Sequence, residues 1–166
     1  CAVTFTNKAA REMKERVQAI LRGRDISAMV VSTFHSLGLR ILRESGHHIG
    51  LKRNANIADA ADQLGLVTDA MRECGLSRTV IRPNDARWKI SLWKNAGLSP
   101  DDALEAADPG IDSALAVAYG RYEDELRRQG LLDFDDLILQ PLRLFREAPQ
   151  VLAKLQELDP EVKVIV

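Results

Sequence analysis

Residues 2–21, AVTFTNKAAREMKERVQAIL, pass from one hydrophobic period to another within a few positions. Ala2, Val3, Thr4 and Phe5 are small, β-branched or aromatic, the composition of a short buried strand. Thr6-Asn7 interrupts the run. From there Ala9, Met13, Val17, Ile20 and Leu21 recur at spacings of three and four, which predicts a helix over 8–21 with one apolar face. Lys8, Arg11, Lys14 and Glu15 fall largely off that face, and Gly23 closes the helix. Met29-Val30-Val31 reads as a second buried strand ending at Ser32-Thr33. An amphipathic helix follows, carrying Phe34, Leu37, Leu39, Ile41 and Leu42 and stopping near Gly46. Strand, helix, strand, helix with short connections is the grammar of a parallel α/β sheet.

After Gly50 the pattern predicts helices alone. They span 58–73, 84–95, a segment opened by Ser99-Pro100-Asp101-Asp102, then 112–128, 133–145 and 149–158. Ser at the N-cap with Pro at the first helical position is a strong start signal. Residues 162–166 return to β-branched, strand-like character. The expectation is an α/β fold, mostly helical, with a helical subdomain inserted between strands of one parallel sheet. Cys1 opens directly on an apolar run and Val166 ends one, so the sequence reads as a piece of a larger sheet.

A chain of 166 residues with 46% hydrophobic residues can fill a core. It holds no apolar run of roughly 18 residues, so no membrane partner is expected. Cys1 and Cys74 give neither a disulfide framework nor metal-ligand spacing, and a reduced, cytoplasmic setting follows. His35, His47 and His48 have no flanking cysteine pair. The net charge of −1 hides an asymmetry: residues 1–54 carry ten Lys/Arg against four Asp/Glu, whereas the rest carries thirteen against twenty. A basic first third suits a localised anionic partner, although solvated helix faces give the same count.

Two segments share one design, an apolar strand, then Thr with Asn, Ser or His, then a helix. They are Thr4-Phe5-Thr6-Asn7-Lys8 and Ser32-Thr33-Phe34-His35-Ser36. In a parallel sheet both junctions fall at the carboxyl ends of strands, where ligands bind. Helix N-termini there present unpaired N–H groups suited to phosphate oxygens. Thr6, Asn7, Thr33 and His35 add polar groups, Lys8 or Arg11 adds charge, and Phe5 offers a face on which a base can stack. The same residues also read as plain helix caps, with Phe5 in the core and His35 a satisfied core or capping histidine. Asp133, Asp135 and Asp136 invite a Mg²⁺ or acid–base reading, but Asp133 before an apolar helix fits an N-cap and the other acids suit the helix dipole. Trp88 and Trp93, five apart on one helix, read as packing residues of the helical block.

TFTNKAAREMKERV, residues 4–17, resembles the motif Ia region of UvrD, Rep and PcrA helicases of superfamily 1. VSTFHSLGL, residues 31–39, resembles their motif Ib, and LLDFDDLIL, residues 131–139, the block before the DExx box. Trp93-Lys94-Asn95 sits where the Rep and PcrA pattern has a WKN element. The matches run in order along nearly the whole chain, with the Rep branch most similar. The resemblance implies an ATP-dependent DNA helicase, a 3′–5′ translocase on single-stranded DNA working at a duplex junction. It implies single-strand contacts at Phe5, Thr6, Asn7, Thr33 and His35, beside which Lys8 is the candidate cation. Residues 1–34 and 149–166 would belong to a RecA-like first motor domain, and 35–148 to an inserted helical subdomain. ATP and Mg²⁺ would serve the intact protein, with none bound to this piece, because the sequence holds no G-x-x-x-x-G-K-[ST] phosphate loop and stops where the family reads into Asp-Glu. A recombination helicase–nuclease subunit of the AddA or RecB type, and a non-catalytic nucleic-acid-binding module, are the alternatives.

Overall fold

Thr6 and Thr33 each end a strand and start a helix. Thr6 Oγ1 accepts a hydrogen bond from the Ala9 N–H at 3.1 Å, and Thr33 Oγ1 accepts one from the Ser36 N–H at 3.2 Å. Each closes one of the donors that a helix start leaves open. A computed structural model describes residues 1–22, 29–52 and 54–158. These divide into two compact units, Cys1–Arg53 with Gln140–Val166, and Asn54–Leu139.

In the first unit, β1 (Ala2–Thr4) and β2 (Val31–Thr33) pair in parallel, with Ala2 opposite Val31, Val3 opposite Ser32 and Thr4 opposite Thr33. Helices α1 (Asn7–Ile20) and α2 (Phe34–Ser45) pack against the pair. A 3₁₀ turn, Gly46–Ile49, follows α2. Ile41, Leu42, Ile49, Leu144, Phe145, Ala148 and Val151 are its buried apolar side chains. Three expectations need correction here. The second strand begins at Val31, not Met29, because the Ala2 N–H donates to the Val30 carbonyl and the ladder runs on from there. Both strands are half-buried rather than buried, apart from Thr33 at the end of β2. On α1, Met13 and Val17 are half-buried while Ile20 is exposed, so the predicted apolar face is covered along only part of its length. The expected strand at 162–166 and the stop at Gly23 lie outside the described residues.

The second unit is built around α6 (Ile111–Gln129), against which α3 (Ala60–Glu73), α4 (Pro83–Asn95) and α5 (Pro100–Glu105) pack. Val67, Met71, Ile90, Leu115 and Tyr122 are fully buried in its core. Each apolar side chain of this kind contributes about 1.5–3 kcal/mol through burial. Gly130, at φ 71°, ends α6 in the left-handed region and turns the chain sharply into β4 (Leu131–Leu132). There β4 pairs in parallel with β3 (Asn56–Ile57), so the unit expected to be purely helical contains a small sheet. Two-residue strands carry no alternating signal, which is why the sequence pattern misses them.

Helix α7 (Asp136–Glu147) begins three residues later than the predicted 133, because residues 133–135 form the turn that caps it. The division between units falls within α7 beside Pro141, which withdraws one helix hydrogen bond. Helix α8 (Pro149–Leu158) has the predicted bounds. Packing therefore divides the chain at 53/54 and 139/140, both inside the stretch 35–148 expected to be helical insertion. No helix among the described residues is long and apolar enough to cross a membrane.

Candidate nucleic-acid interface

The register of β1 and β2 decides what lies at their carboxyl ends. Thr4 is opposite Thr33, so Phe5 and Phe34 leave neighbouring strands at the same level. Phe5 is 83% exposed, which removes the reading that places it in the core. Its ring centroid lies 5.3 Å from that of Phe34, with the planes tilted by 50°. Thr6 caps α1 and is exposed, as are Asn7 and Lys8 at the first turn of that helix. Lys8 Nζ stands 4.0 Å from Glu12 Oε1, both side chains largely in solvent. Such a pair contributes little and leaves the ammonium able to meet another anion. The positive end of the α1 dipole opens on the same edge.

Thr33 and His35 behave differently. Thr33 is buried, and its hydroxyl donates to Ser36 Oγ at 2.9 Å while accepting from the Ser36 N–H. It fixes the start of α2 rather than presenting a polar group. His35 follows Phe34 and is half-buried. The structure thus brings Phe5, Thr6, Asn7 and Lys8 to one open edge, with Thr33 beneath it. Phe34, which the pattern reads as a helix-face residue, has its own signal in the sequence: a Thr-Phe dipeptide stands at the strand end in both segments.

In the second unit, Lys94 is the residue that sequence reasoning undervalued. Its Nζ donates to Glu123 Oε1 and Asp133 Oδ2 at 2.8 Å and to Asp136 Oδ1 at 2.9 Å, and the residue is buried. The Tyr122 hydroxyl donates to Asp133 Oδ2 at 2.8 Å. Asp133 and Asp136 also cap each other's backbone, the Asp136 N–H donating to Asp133 Oδ1 and the Asp133 N–H to Asp136 Oδ2. Asp133 thus closes the N–H of Asp136, the first residue of α7, from three residues before it, and the pair additionally anchors a buried ion cluster. Burial alone lowers the Lys94 pKa, but Asp136, Glu123 and Asp133 together raise it above its ordinary value. Burial pushes the Glu123 and Asp136 carboxyls upward, with Lys94 opposing. Alongside, Asn95 Nδ2 donates to Asp135 Oδ1 at 3.0 Å. The WKN element and the DFDD block are therefore two halves of one contact.

This cluster is not a Mg²⁺ site, because the three carboxylates converge on an ammonium that already occupies their centre. Trp93 packs against the core and stacks on Tyr119, its ring centroid 6.1 Å away. Trp88 departs from the packing expectation. It is 64% exposed, and with Arg87, Phe134 and Asp135 it lines an open cleft of about 260 Å³.

Comparison with known proteins finds similarity along nearly the whole chain. The UvrD/REP helicase N-terminal domain matches residues 1–164. The chain is 42% identical over 156 residues to the ATP-dependent DNA helicase PcrA of Leuconostoc citreum, covering 94% of this chain and 21% of that protein. It is 41% identical to PcrA of Bacillus subtilis and 40% to PcrA of Staphylococcus aureus, each over 151 residues, 91% of this chain and 20% of the relative. The chain spans about a fifth of the length of these curated relatives. On the strength of a family match along nearly its whole length, the chain belongs to the UvrD/Rep helicase family.

Proposed function

We propose that the β1/β2 edge is the single-stranded-DNA track of the first motor domain in an ATP-dependent DNA helicase that translocates 3′ to 5′. Phe5 supplies a stacking face, Thr6, Asn7 and Lys8 meet backbone phosphates, His35 adds to the edge from α2, and buried Thr33 sets the start of that helix beneath it. Residues 1–34 and 149–166 are assigned to the motor domain and 35–148 to the inserted helical subdomain beside the duplex junction. ATP and Mg²⁺ act in the intact protein through residues outside this sequence, and the 166 residues alone hydrolyse no ATP. One observation carries the reading: the Thr4–Thr33 register sets an exposed ring beside a helix start rich in donors and carrying a lysine. Support also comes from the relatives, each named an ATP-dependent DNA helicase.

The test is Phe5→Ala in the full-length protein. Loss of one stacking contact weakens single-strand affinity by roughly 1–3 kcal/mol without regard to sequence. DNA-stimulated ATP turnover at subsaturating DNA should fall with it, while turnover without DNA stays unchanged. Equal affinity and turnover in the variant would show that Phe5 is not on the track.

A further inference from the structure

Two rings, not one, stand at the carboxyl ends of β1 and β2. Neither is in the core, for Phe5 is 83% and Phe34 41% exposed. Phe34 is held in place from below, because the buried Thr33 hydroxyl donates to Ser36 Oγ and accepts from the Ser36 N–H, and so fixes where α2 begins. The ring centroids are 5.3 Å apart. A base inserted between two rings needs a carbon contact of roughly 3.5 Å on each side, about 7 Å in all. That gap is therefore closed to a base. The outer faces remain, and they are inclined to each other by the 50° between the ring planes.

We infer that Phe34 is a second base-contacting ring, forming with Phe5 a corner that holds two neighbouring unpaired bases, one on each outer face. The inference rests on the single-strand track proposed for this edge. Two bases lying flat on planes 50° apart are not parallel, so the corner breaks their mutual stacking. Contact of this kind ignores base identity, since every base has a π face. The exposed Thr6, Asn7 and Lys8 then lie where the backbone phosphates of the bent strand pass.

The experiment compares binding of the full-length protein to oligothymidine and to an abasic strand of equal length, at one fixed salt concentration. The variants are Phe5→Ala, Phe34→Ala, Phe34→Leu, Phe34→Tyr and the double alanine. Phe34→Ala should weaken oligothymidine binding by about fivefold or more and leave the abasic strand unchanged. The losses from Phe5→Ala and Phe34→Ala should multiply in the double variant. Phe34→Leu keeps bulk but no flat face and should lose as much, whereas Phe34→Tyr should bind like the parent. Should the alanine variant misfold, as judged by its melting curve, the leucine and tyrosine variants carry the comparison. A Phe34 effect equal on both strands, or one that disappears once Phe5 is alanine, overturns the inference and makes Phe34 a prop for its neighbour. A base-dependent loss for Phe5→Ala alone also overturns it but spares the track. Silence in both single variants removes the track itself.

Discussion

Lys94 sits within 2.9 Å of an oxygen from each of three carboxylates, Glu123, Asp133 and Asp136. One ammonium cannot neutralise three anions, so the buried cluster carries surplus negative charge when all are ionised. Loss of hydration on burial is the main reason the Glu123 and Asp136 pKa values are raised despite the lysine beside them, and the neighbouring carboxylates add to it. The sign for stability follows. A carboxyl whose pKa is higher folded than unfolded binds its proton more tightly in the native state, so its stabilising effect is complete below the ordinary value, 4.5 for Glu123, and is lost as pH rises through the raised folded value. Lys94, raised above 10.5, keeps its contribution throughout neutral pH and loses it only in strong alkali. Glu123→Gln retains an acceptor for Lys94 and removes surplus charge. It should therefore leave stability at neutral pH equal or higher and flatten its decline above pH 4.5, as read by urea unfolding across that range. Lys94→Met should cost about 3–5 kcal/mol, the usual loss when a buried charge is stripped of its partner. A Lys94→Met protein within ~1 kcal/mol of the parent would mean the cluster is held by other contacts.

At the scale of elements, the start of α5 was the most legible part of the sequence. Ser99 caps α5 and Asp102 returns the bond to the Ser99 N–H at 2.9 Å, the reciprocal arrangement that Ser-Pro-Asp-Asp advertises. Asp59 does the same for α3, accepting from the Ala61 and Asp62 N–H groups while Asp62 accepts from the Asp59 N–H. Asp59→Ala should lower stability by about 1 kcal/mol and fray the first turn of α3. Faster amide exchange confined to 60–63 is the expected signature, and unchanged exchange there would count against the cap. What the sequence could not show were contacts between remote segments. Lys94 and Asp133 meet only because α4 and the turn before α7 pack together, and no periodicity records that meeting. Exposure at Phe5 was equally hidden, since an aromatic at a strand tip serves a core or a surface depending on what the next layer covers. The pairing of β3 with β4 escaped for a related reason, as it joins residues separated by four helices and most of a unit.

For the whole molecule, the consequence of two units is that stability need not be shared. The unit from Asn54 to Leu139 has its own apolar core, its own small sheet and the complete Lys94 cluster. Its end, however, falls inside α7, and cutting at 139 would leave only the first turn of that helix to carry Asp136. So short a stub does not hold helical form. A segment covering 54–147 keeps α7 whole, and it should fold by itself with a single cooperative urea transition and slow exchange at Val67, Ile90, Leu115 and Tyr122. The first unit is composed of two chain segments separated in sequence, and its strands are half-buried apart from Thr33. Bringing distant segments together costs closure entropy that local helices do not pay. Residues 1–53 alone should therefore lack a cooperative transition even where 54–147 shows one. If 54–147 unfolds gradually or leaves Tyr122 unprotected, the helical unit depends on the rest of the protein, and its buried ion cluster cannot be treated as a property of that unit alone.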